Sequence, residues 1–339
     1  MVPYDSVLLV SFGGPEGPDD VLAFMENVTR GRPVPRERLI EVSRHYELFD
    51  GVSPINGQNR ALVAALGVAL AARGIDLPVY WGNRNWHPLL PATIDHMRAD
   101  GCRRALGFVT SAYSSYSGCR QYREDIERAR SAVGVDAPLV DKLRAFYNHP
   151  GFISPIGDGV IASIERAGTP ISHLAFCAHS IPTSMADSSD YVAQLTETCR
   201  LVASAVGPLP WSLVFQSRSG APGQPWLEPD INDHLTTLAA QGATGVVMVP
   251  IGFVSDHMEV VYDLDTQATA TAARLGLYVA RSSTPGTDPR FVEMICALID
   301  ERLTGAERLS MGSCGPNRDV CPLDCCPAPV RPTARPATD

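Results

Sequence analysis

The stretch Gly242-Ala-Thr-Gly-Val-Val-Met-Val-Pro-Ile-Gly252 decides the fold, because Gly101-Cys-Arg-Arg-Ala-Leu-Gly-Phe-Val-Thr-Ser111 resembles it. Each begins at a turn-forming glycine and enters an apolar run without polar alternation, as parallel strands covered on both faces require. A fainter echo links Val79-Tyr-Trp-Gly-Asn-Arg84 with Leu213-Val-Phe-Gln-Ser-Arg218. The two copies of each echo are separated by far more than the ~20–50 residues of a solenoid repeat. They therefore predict two similar α/β domains in series.

Apolar runs of this kind alternate with amphipathic helical segments along the whole chain. The predicted strands are residues 7–12, 78–81, 105–110, 173–177, 212–215, 246–253 and 278–280. One amphipathic segment opens at Asp19 and ends at Gly31. This alternation predicts an α/β fold with two similar Rossmann-like domains, each a parallel sheet flanked by helices. We expect the domains to span residues 1–148 and 149–305.

Composition narrows the class of protein. The chain has 339 residues, of which 45% are hydrophobic and 19% charged, so it can bury large cores. Its net charge of −9 repels phosphate backbones, and we predict no nucleic-acid partner. The longest apolar run, residues 61–72, is short of the ~20 residues that span a bilayer, so we predict no membrane span. Nine cysteines without a visible secretory signal predict a reducing, cytoplasmic location.

Two polar clusters follow predicted strands of the second domain, where ligands bind in such folds. His179 ends the stretch Phe176-Cys-Ala-His179. Asp256, Glu259 and Asp263 would lie on neighbouring turns of a helix. Carboxylates with a histidine suit a divalent cation, and crowded carboxylates equally suit proton acceptance. The plain alternatives are a structural histidine and a solvated acidic helix face.

Other segments have both a functional and a structural interpretation. The glycine-rich loop Ser11-Phe-Gly-Gly-Pro-Glu-Gly-Pro18 lacks a phosphate-binding spacing and predicts a tight turn. Residues 30–45 carry a surplus of arginines that suits carboxylates, although a solvated surface explains it as well. Aromatic residues at Tyr113, Tyr116 and Trp86 would line a flat apolar ligand or belong to the core.

A cysteine-rich segment, residues 306–326, indicates a soft-metal site. Its thiols are Cys314, Cys321, Cys325 and Cys326. Both zinc and an iron–sulfur cluster suit thiolates. Adjacent Cys325 and Cys326 cannot easily reach one cluster together, so an internal cysteine such as Cys119 would complete four ligands. We expect the Pro- and Ala-rich residues 327–339 to be disordered.

The chain resembles the ferrochelatases over nearly its whole length. The motifs that carry the resemblance are Leu8-Leu-Val-Ser-Phe-Gly-Gly-Pro15, Gly51-Val-Ser-Pro-Ile-Asn56, Cys177-Ala-His-Ser-Ile-Pro182 and Gly252-Phe-Val-Ser-Asp-His-Met-Glu-Val-Val-Tyr-Asp-Leu-Asp265. The resemblance implies two chelatase-type domains that hold a porphyrin in their cleft and insert Fe²⁺ as substrate. It implies catalytic roles for His179 and Glu259, and contacts with Fe²⁺ for these two and Asp263.

The resemblance also implies a set of porphyrin-binding positions. They are Phe12, Arg30, Tyr46, Ser53 and Tyr116. Other family members have Tyr or Met at the position of Phe12, so a metal contact through a tyrosine oxygen is excluded there. The arginine-rich segment, the lack of a membrane-docking feature and the actinobacterial character favour coproporphyrin III, with its four propionates, over protoporphyrin IX, with two.

The cysteine tail resembles that of actinobacterial ferrochelatases. The resemblance implies a [2Fe-2S] cluster held by one internal and three C-terminal cysteines, which leaves the choice between Cys325 and Cys326 open. With no coiled-coil pattern, we expect a monomer. Rival interpretations are a non-catalytic tetrapyrrole or metal carrier, a chelatase for cobalt or nickel, and a nucleotide-binding enzyme with a zinc tail.

Overall fold

The structure, a computed structural model, describes residues 3–31, 34–220 and 223–329. Its first half runs from the first strand to the fourth. In chain order it contains β1 (Ser6–Ser11), α1 (Pro18–Val28), α2 (Arg36–Glu47), α3 (Ile55–Ala72), β2 (Val79–Asn83), α4 (Leu90–Ala99), β3 (Arg104–Val109), a first π-helix (Tyr116–Arg120), α5 (Gln121–Val133) and β4 (Leu139–Lys142).

The second half repeats the alternation of strand and helix. It contains α6 (Pro150–Arg166), β5 (His173–His179), α7 (Thr183–Asp187), α8 (Tyr191–Val206), β6 (Trp211–Gln216), α9 (Ile231–Ala240), β7 (Gly245–Val249), α10 (Met258–Val260), a second π-helix (Val261–Ala268), α11 (Thr269–Leu275), β8 (Tyr278–Arg281) and α12 (Pro289–Thr304).

Each half forms a parallel four-stranded sheet, in the orders β2-β1-β3-β4 and β6-β5-β7-β8. The two orders are equivalent, since the first strand of each half lies between its second and third. The central strands are buried on both faces, which explains their uninterrupted apolar sequences. The predicted α/β class with two similar parallel sheets is confirmed.

The strand predictions were wrong in two places. β4 was missed, because this short edge strand has the sequence Leu-Val-Asp-Lys and lacks an apolar run. The strand predicted at 246–253 ends at Val249, since Pro250 has no N–H to donate to a neighbouring strand. In addition, α1 begins at Pro18 and its N-cap is Gly17, two residues before the predicted cap Asp19.

One apolar core joins the two halves. Helix α12 packs against α3 of the first half and α6 of its own half. Its Phe291 is fully buried, and its ring centroid lies 6.3 Å from that of Phe108 and 6.0 Å from that of Phe146. Through these contacts the two halves share one hydrophobic core.

Three sequence predictions concern membrane spans, the arginine-rich segment and the C-terminal tail. In the part of the chain that the structure describes, every helix is too short or too polar to span a bilayer. Arg32, part of the arginine-rich segment, lies outside the described residues. So do residues 330–339 of the tail that was predicted to be disordered.

Candidate active site

The site lies at the carboxyl ends of β5, β6 and β7. His179 is the last residue of β5 and pairs directly with Gln216, the last residue of β6. The chain that leaves β7 turns at Gly252, where a Cβ atom would lie 3.0 Å from the Ala178 backbone, and leads to Glu259 in α10. This edge of the second sheet therefore brings His179 and Glu259 together, as expected for a ligand site in a parallel sheet.

His179 and Glu259 form an ion pair, with 3.3 Å between Nε2 and Oε1. The Nδ1 of His179 donates to the backbone oxygen of Ser180, so Nε2 is the nitrogen that faces the carboxylate. Burial would lower the pKa of His179, but Glu259 and the Ser180 carbonyl outweigh it and raise that pKa to about 9. Burial likewise opposes ionisation of Glu259, yet His179 holds its pKa at about 2. Near neutral pH both groups are charged.

The second π-helix places Asp263 beside this pair. A π-helix turns more widely than an α-helix and is often found at functional sites. Burial raises the pKa of Asp263 to about 7, and the charge of Glu259 adds to this effect. The hydroxyl of Ser217 donates to Asp263 Oδ2 and partly offsets the increase. A carboxyl group with such a pKa can accept and release protons near neutral pH.

Three residues that the sequence analysis missed hold these groups in place. Gln216 Nε2 donates to the backbone oxygen of Glu259, and Tyr191 donates to the backbone oxygen of His179 at 2.9 Å. Ser217 holds Asp263. A signal was present for Gln216 and Ser217, since both come at the end of a predicted strand. Nothing in the sequence around Tyr191 indicated its contact.

The predicted grouping of Asp256 with the other carboxylates is wrong. Asp256 and His257 precede α10, so Asp256 is not on a helix turn above Glu259. The Asp256 carboxylate instead accepts from Arg281 at 3.1 Å. His257 Nδ1 accepts from the backbone N–H of Glu259 at 3.2 Å and thus caps α10.

Helix α2 of the first half lies beside the site. His45 stacks on Tyr262, with 4.0 Å between ring centroids. Tyr46 lies close enough to the carboxylates that burial, followed by Glu259 and Asp263, raises its pKa. The structure therefore brings the predicted Tyr46 to the site.

An aromatic wall continues from Tyr46 towards the first sheet. The ring centroid of Phe24 lies 6.2 Å from those of Tyr46, Phe12 and Trp86. The predicted Phe12, which follows β1 of the same half, thus belongs to the same surface as Tyr46. Such a wall suits a flat apolar ligand.

The structure places the other predicted porphyrin positions elsewhere. Ser53 is buried, and a Cβ atom on Gly14 would lie 2.6 Å from its Cβ atom, so the glycine permits this close approach. Arg30 is exposed at the end of α1, where it donates to Asn27. The hydroxyl of Tyr116 donates to Glu124 at 3.1 Å within the first half.

Two depressions flank the site. A groove of about 690 Å³ is lined in part by Gln58, Asp256 and Thr284. A pocket of about 230 Å³ lies beside Ser180 and Asp230. Neither is lined by His179 or Glu259, whose side chains are 32% and 43% exposed.

Two pairs of the predicted cluster cysteines lie near each other against the first half. Interaction with Cys321, with help from Lys142, lowers the pKa of Cys119 to about 5. The sulfur atoms of Cys325 and Cys326 lie 3.5 Å apart, and the charge of Cys119 acts on Cys326. Cys314 is exposed and instead interacts with Tyr147 and Arg200. Within the described residues, no three His, Cys, Asp or Glu side chains form a metal-holding group.

A family model described as ferrochelatase matches residues 4–303. The chain belongs to the ferrochelatase family. It is therefore an enzyme whose substrates are ferrous iron and a porphyrin.

Named relatives cover nearly the whole of this ferrochelatase. Coproporphyrin III ferrochelatase of Streptomyces griseus is 56% identical, over 96% of this chain and 94% of its own. A ferrochelatase of Rhodopirellula baltica is also 56% identical, over 96% of this chain and 93% of its own. Among solved structures, SirB from Bacillus subtilis with Fe³⁺ is similar with a TM-score of 0.53 at 12% identity, covering 89% of this chain and 96% of that one. The structural likeness supports the fold alone.

The raised pKa of Asp263 predicts a pH-dependent effect on stability. The pKa of an aspartate in an unfolded chain is ~3.9. Between that pH and about pH 7 the folded protein therefore binds more protons than the unfolded chain. The contribution of Asp263 to stability is therefore lost as the pH rises through this range. Asp263→Asn removes the titration, and its unfolding free energy relative to the unchanged protein should increase between about pH 5 and about pH 8.

Urea denaturation at both pH values measures this difference. Asp136→Asn, at an exposed turn, is the matched control and should show the same difference from the unchanged protein at both pH values. A pH-independent difference for Asp263→Asn would show that this carboxyl group does not titrate in the range.

Proposed function

We propose that this ferrochelatase inserts Fe²⁺ into coproporphyrin III to give coproheme, in heme biosynthesis. Relatives named coproporphyrin III ferrochelatase that are 49–56% identical support this substrate. The structural observation that carries the proposal is the contact of 3.3 Å between His179 Nε2 and Glu259 Oε1, with Asp263 beside the pair. Imidazole nitrogen and carboxylate oxygen together suit a divalent transition metal.

We assign His179 and Glu259 to catalysis as a unit. Insertion of Fe²⁺ releases the two pyrrole N–H protons, so groups in the site must accept them. In the resting pair His179 Nε2 holds a proton, because its pKa is raised to about 9. That proton has to leave before Nε2 can bind Fe²⁺ or accept a pyrrole proton, and Asp263, with a pKa of about 7, is the neighbouring acceptor. The pair therefore performs metal capture, proton acceptance or both.

Porphyrin binding is assigned to the aromatic wall and to residues around α1 and α2. Phe12 and Tyr46 present ring surfaces on which a flat macrocycle can stack. Arg30 is exposed at the end of α1 and suits a propionate, while Ser53 and Tyr116 retain their assignment from the family resemblance. Binding energy from the edge of the ring can bend it and expose the nitrogen lone pairs.

We further propose that Cys119 and three of the tail cysteines hold a [2Fe-2S] cluster. Soft thiolates are the usual ligands of such clusters, and the contacts of Cys119 with Cys321 and of Cys325 with Cys326 fit this donor set. When bound, the cluster would supply a cross-link between the tail and the first half. Cys314 and Cys321 are assigned to the cluster with Cys119, and the choice between Cys325 and Cys326 for the last position stays open.

The remaining assignments concern organisation and location. We propose domains at 1–148 and 149–305, supported by the two separate sheets, and a cluster-binding segment at 306–326. We propose a cytoplasmic location because none of the nine cysteines, all of them within the described residues, forms a disulfide, as in a reducing compartment. The proposal of a monomer rests on the lack of a coiled-coil pattern in the sequence.

A comparison of porphyrins tests the function. With Fe²⁺ under anaerobic conditions, kcat/KM should be at least about tenfold higher for coproporphyrin III than for protoporphyrin IX, since one charged hydrogen bond is worth ~1.5–3 kcal/mol. Arg30→Ala should reduce this ratio, whereas Arg98→Ala, in an exposed ion pair on α4, should not. A higher rate with protoporphyrin IX would overturn the choice of substrate, and binding of both without turnover would indicate a carrier.

Removal of the imidazole tests the catalytic assignment. His179→Ala should abolish insertion, because Glu259 then lacks its partner for proton exchange and metal capture, while porphyrin affinity measured by fluorescence quenching should stay largely intact. His96→Ala, an exposed histidine on α4, is the control and should retain full activity. Near-normal turnover in His179→Ala would refute the assignment.

Visible absorption tests the cluster. The purified protein should be coloured, with iron and inorganic sulfide bound, whereas a zinc site would be colourless. Cys119→Ser should lose this absorption because it removes the internal ligand. Cys199→Ser, at a fully buried cysteine of α8, should keep it. Full absorption in Cys119→Ser would exclude Cys119 as a ligand.

A further inference from the structure

The chain beyond α12 returns across the segment that connects the two halves. This connection comprises residues 143–149, between β4 and α6. Residues 306–315 lie against it, and the following residues continue to the first half. We call the contacts of Arg144 and Asn148 with the returning chain the tail clamp.

Asn148 makes the central contacts of the tail clamp. Its backbone oxygen accepts from Met311 N–H at 2.8 Å. Its side-chain Nδ2 donates to the backbone oxygens of Gly315 at 2.8 Å and Met311 at 3.4 Å. Asn148 is fully buried, so these bonds are not exchanged for bonds to bulk water.

Arg144 holds the same returning chain closer to α12. Its guanidinium donates to both carboxylate oxygens of Glu301 at 2.8 Å and to the backbone oxygen of Leu309 at 2.9 Å. The side chains of Arg144 and Glu301 are 0% and 3% exposed. A buried, bidentate pair of this kind has a defined geometry.

Beyond the tail clamp the chain reaches the thiols. Asn317 Nδ2 donates to Ser114 Oγ at 3.3 Å, and Arg120 donates to the backbone oxygen of Cys325 at 3.3 Å. Cys321 lies near enough to Cys119 to act on its thiol, and Cys119 is only 5% exposed. The order along the chain is therefore connection first and thiols second.

We propose that Asn148 is a positioning residue for the thiol site. By hydrogen bonding to Met311 and Gly315, it fixes the returning chain to the connection between the halves and thereby places the tail cysteines next to Cys119. Without this side chain, Leu309 is still held by Arg144, and Met311 N–H still donates to the backbone oxygen of residue 148, so the free chain leading to Cys321 would begin at Met311 instead of Gly315. That chain would be nearly twice as long, and the effective concentration of Cys321 near Cys119 would fall roughly twofold. Cys119 is then covered for a smaller fraction of the time.

Thiol labelling of the full-length, reduced and metal-free protein tests this positioning. Asn148→Ala removes the side-chain donor, and Asn148→Asp keeps its shape but places an acceptor against the Gly315 oxygen. Both variants should increase the rate at which a maleimide modifies Cys119, located by mass spectrometry, by roughly twofold or more. Asn59→Ala, at an equally buried asparagine of α3, is the matched control and should leave the rate unchanged.

Cys199 distinguishes positioning from a general loss of structure. It is fully buried in α8, away from the tail, so unfolding would expose it together with Cys119. We expect its labelling rate to stay the same in both Asn148 variants. Unchanged labelling of Cys119, or an equal increase at Cys119 and Cys199, would overturn the proposal.

A second measurement extends the test to the loaded protein and rests on the proposed cluster. A chelator should bleach the visible absorption of Asn148→Ala several times faster than that of the unchanged protein, and equal rates would count against the positioning role. A purified protein without absorption would refute the cluster, while the labelling of Cys119 would still decide the role of Asn148.

Discussion

Parallel pairing of β5 with β6 places His179 opposite Gln216 at the edge of the second sheet. Gln216 in turn holds the backbone oxygen of Glu259, so one side chain connects the strand register to the start of the helical segment. A slip of one residue would turn His179 to the other face of the sheet. The ion pair and the environment of Asp263 both depend on this register.

The surroundings of Glu259 and Asp263 shift the pKa values of these two carboxyl groups in opposite directions. Glu259 faces an imidazolium and keeps its charge, with a pKa of about 2, whereas Asp263 is buried beside that charge and titrates at about 7. Pairs of titratable groups whose pKa values are shifted apart are typical of sites with divided acid–base roles. One group is thus suited to attracting a cation and the other to exchanging protons.

A buried ion pair and several hydrogen bonds fix the connection between the halves. Arg144 and Glu301 are buried together, and a buried ion pair compensates its desolvation only with good geometry and further hydrogen bonds. The Leu309 oxygen supplies one of these bonds to Arg144. The same connection therefore serves as a support for the cysteine tail, and the arrangement relates the thiol segment to the junction of the two sheets.

Regular secondary structure followed from local patterns. The continuous apolar runs predicted seven of the eight strands found in the described residues, and the end of β5 indicated His179 as a site residue. The edge strand β4 was missed because it is only partly buried and carries Asp141 and Lys142. Glu259 and Asp263 were predicted together, but the π-helix that sets their spacing has no periodic signature in the sequence.

The sequence by itself determined the α/β class, the two equivalent sheets, and the residue types available at the strand ends, because strand and helix periodicity are local properties of the chain. Only the tertiary structure decided that Tyr46 approaches the carboxylates, that Asp256 pairs with Arg281, and that Asn148 seats the tail. Those contacts join residues far apart in the chain. They depend on how α2, β8 and the tail pack across the sheets, which no local pattern encodes.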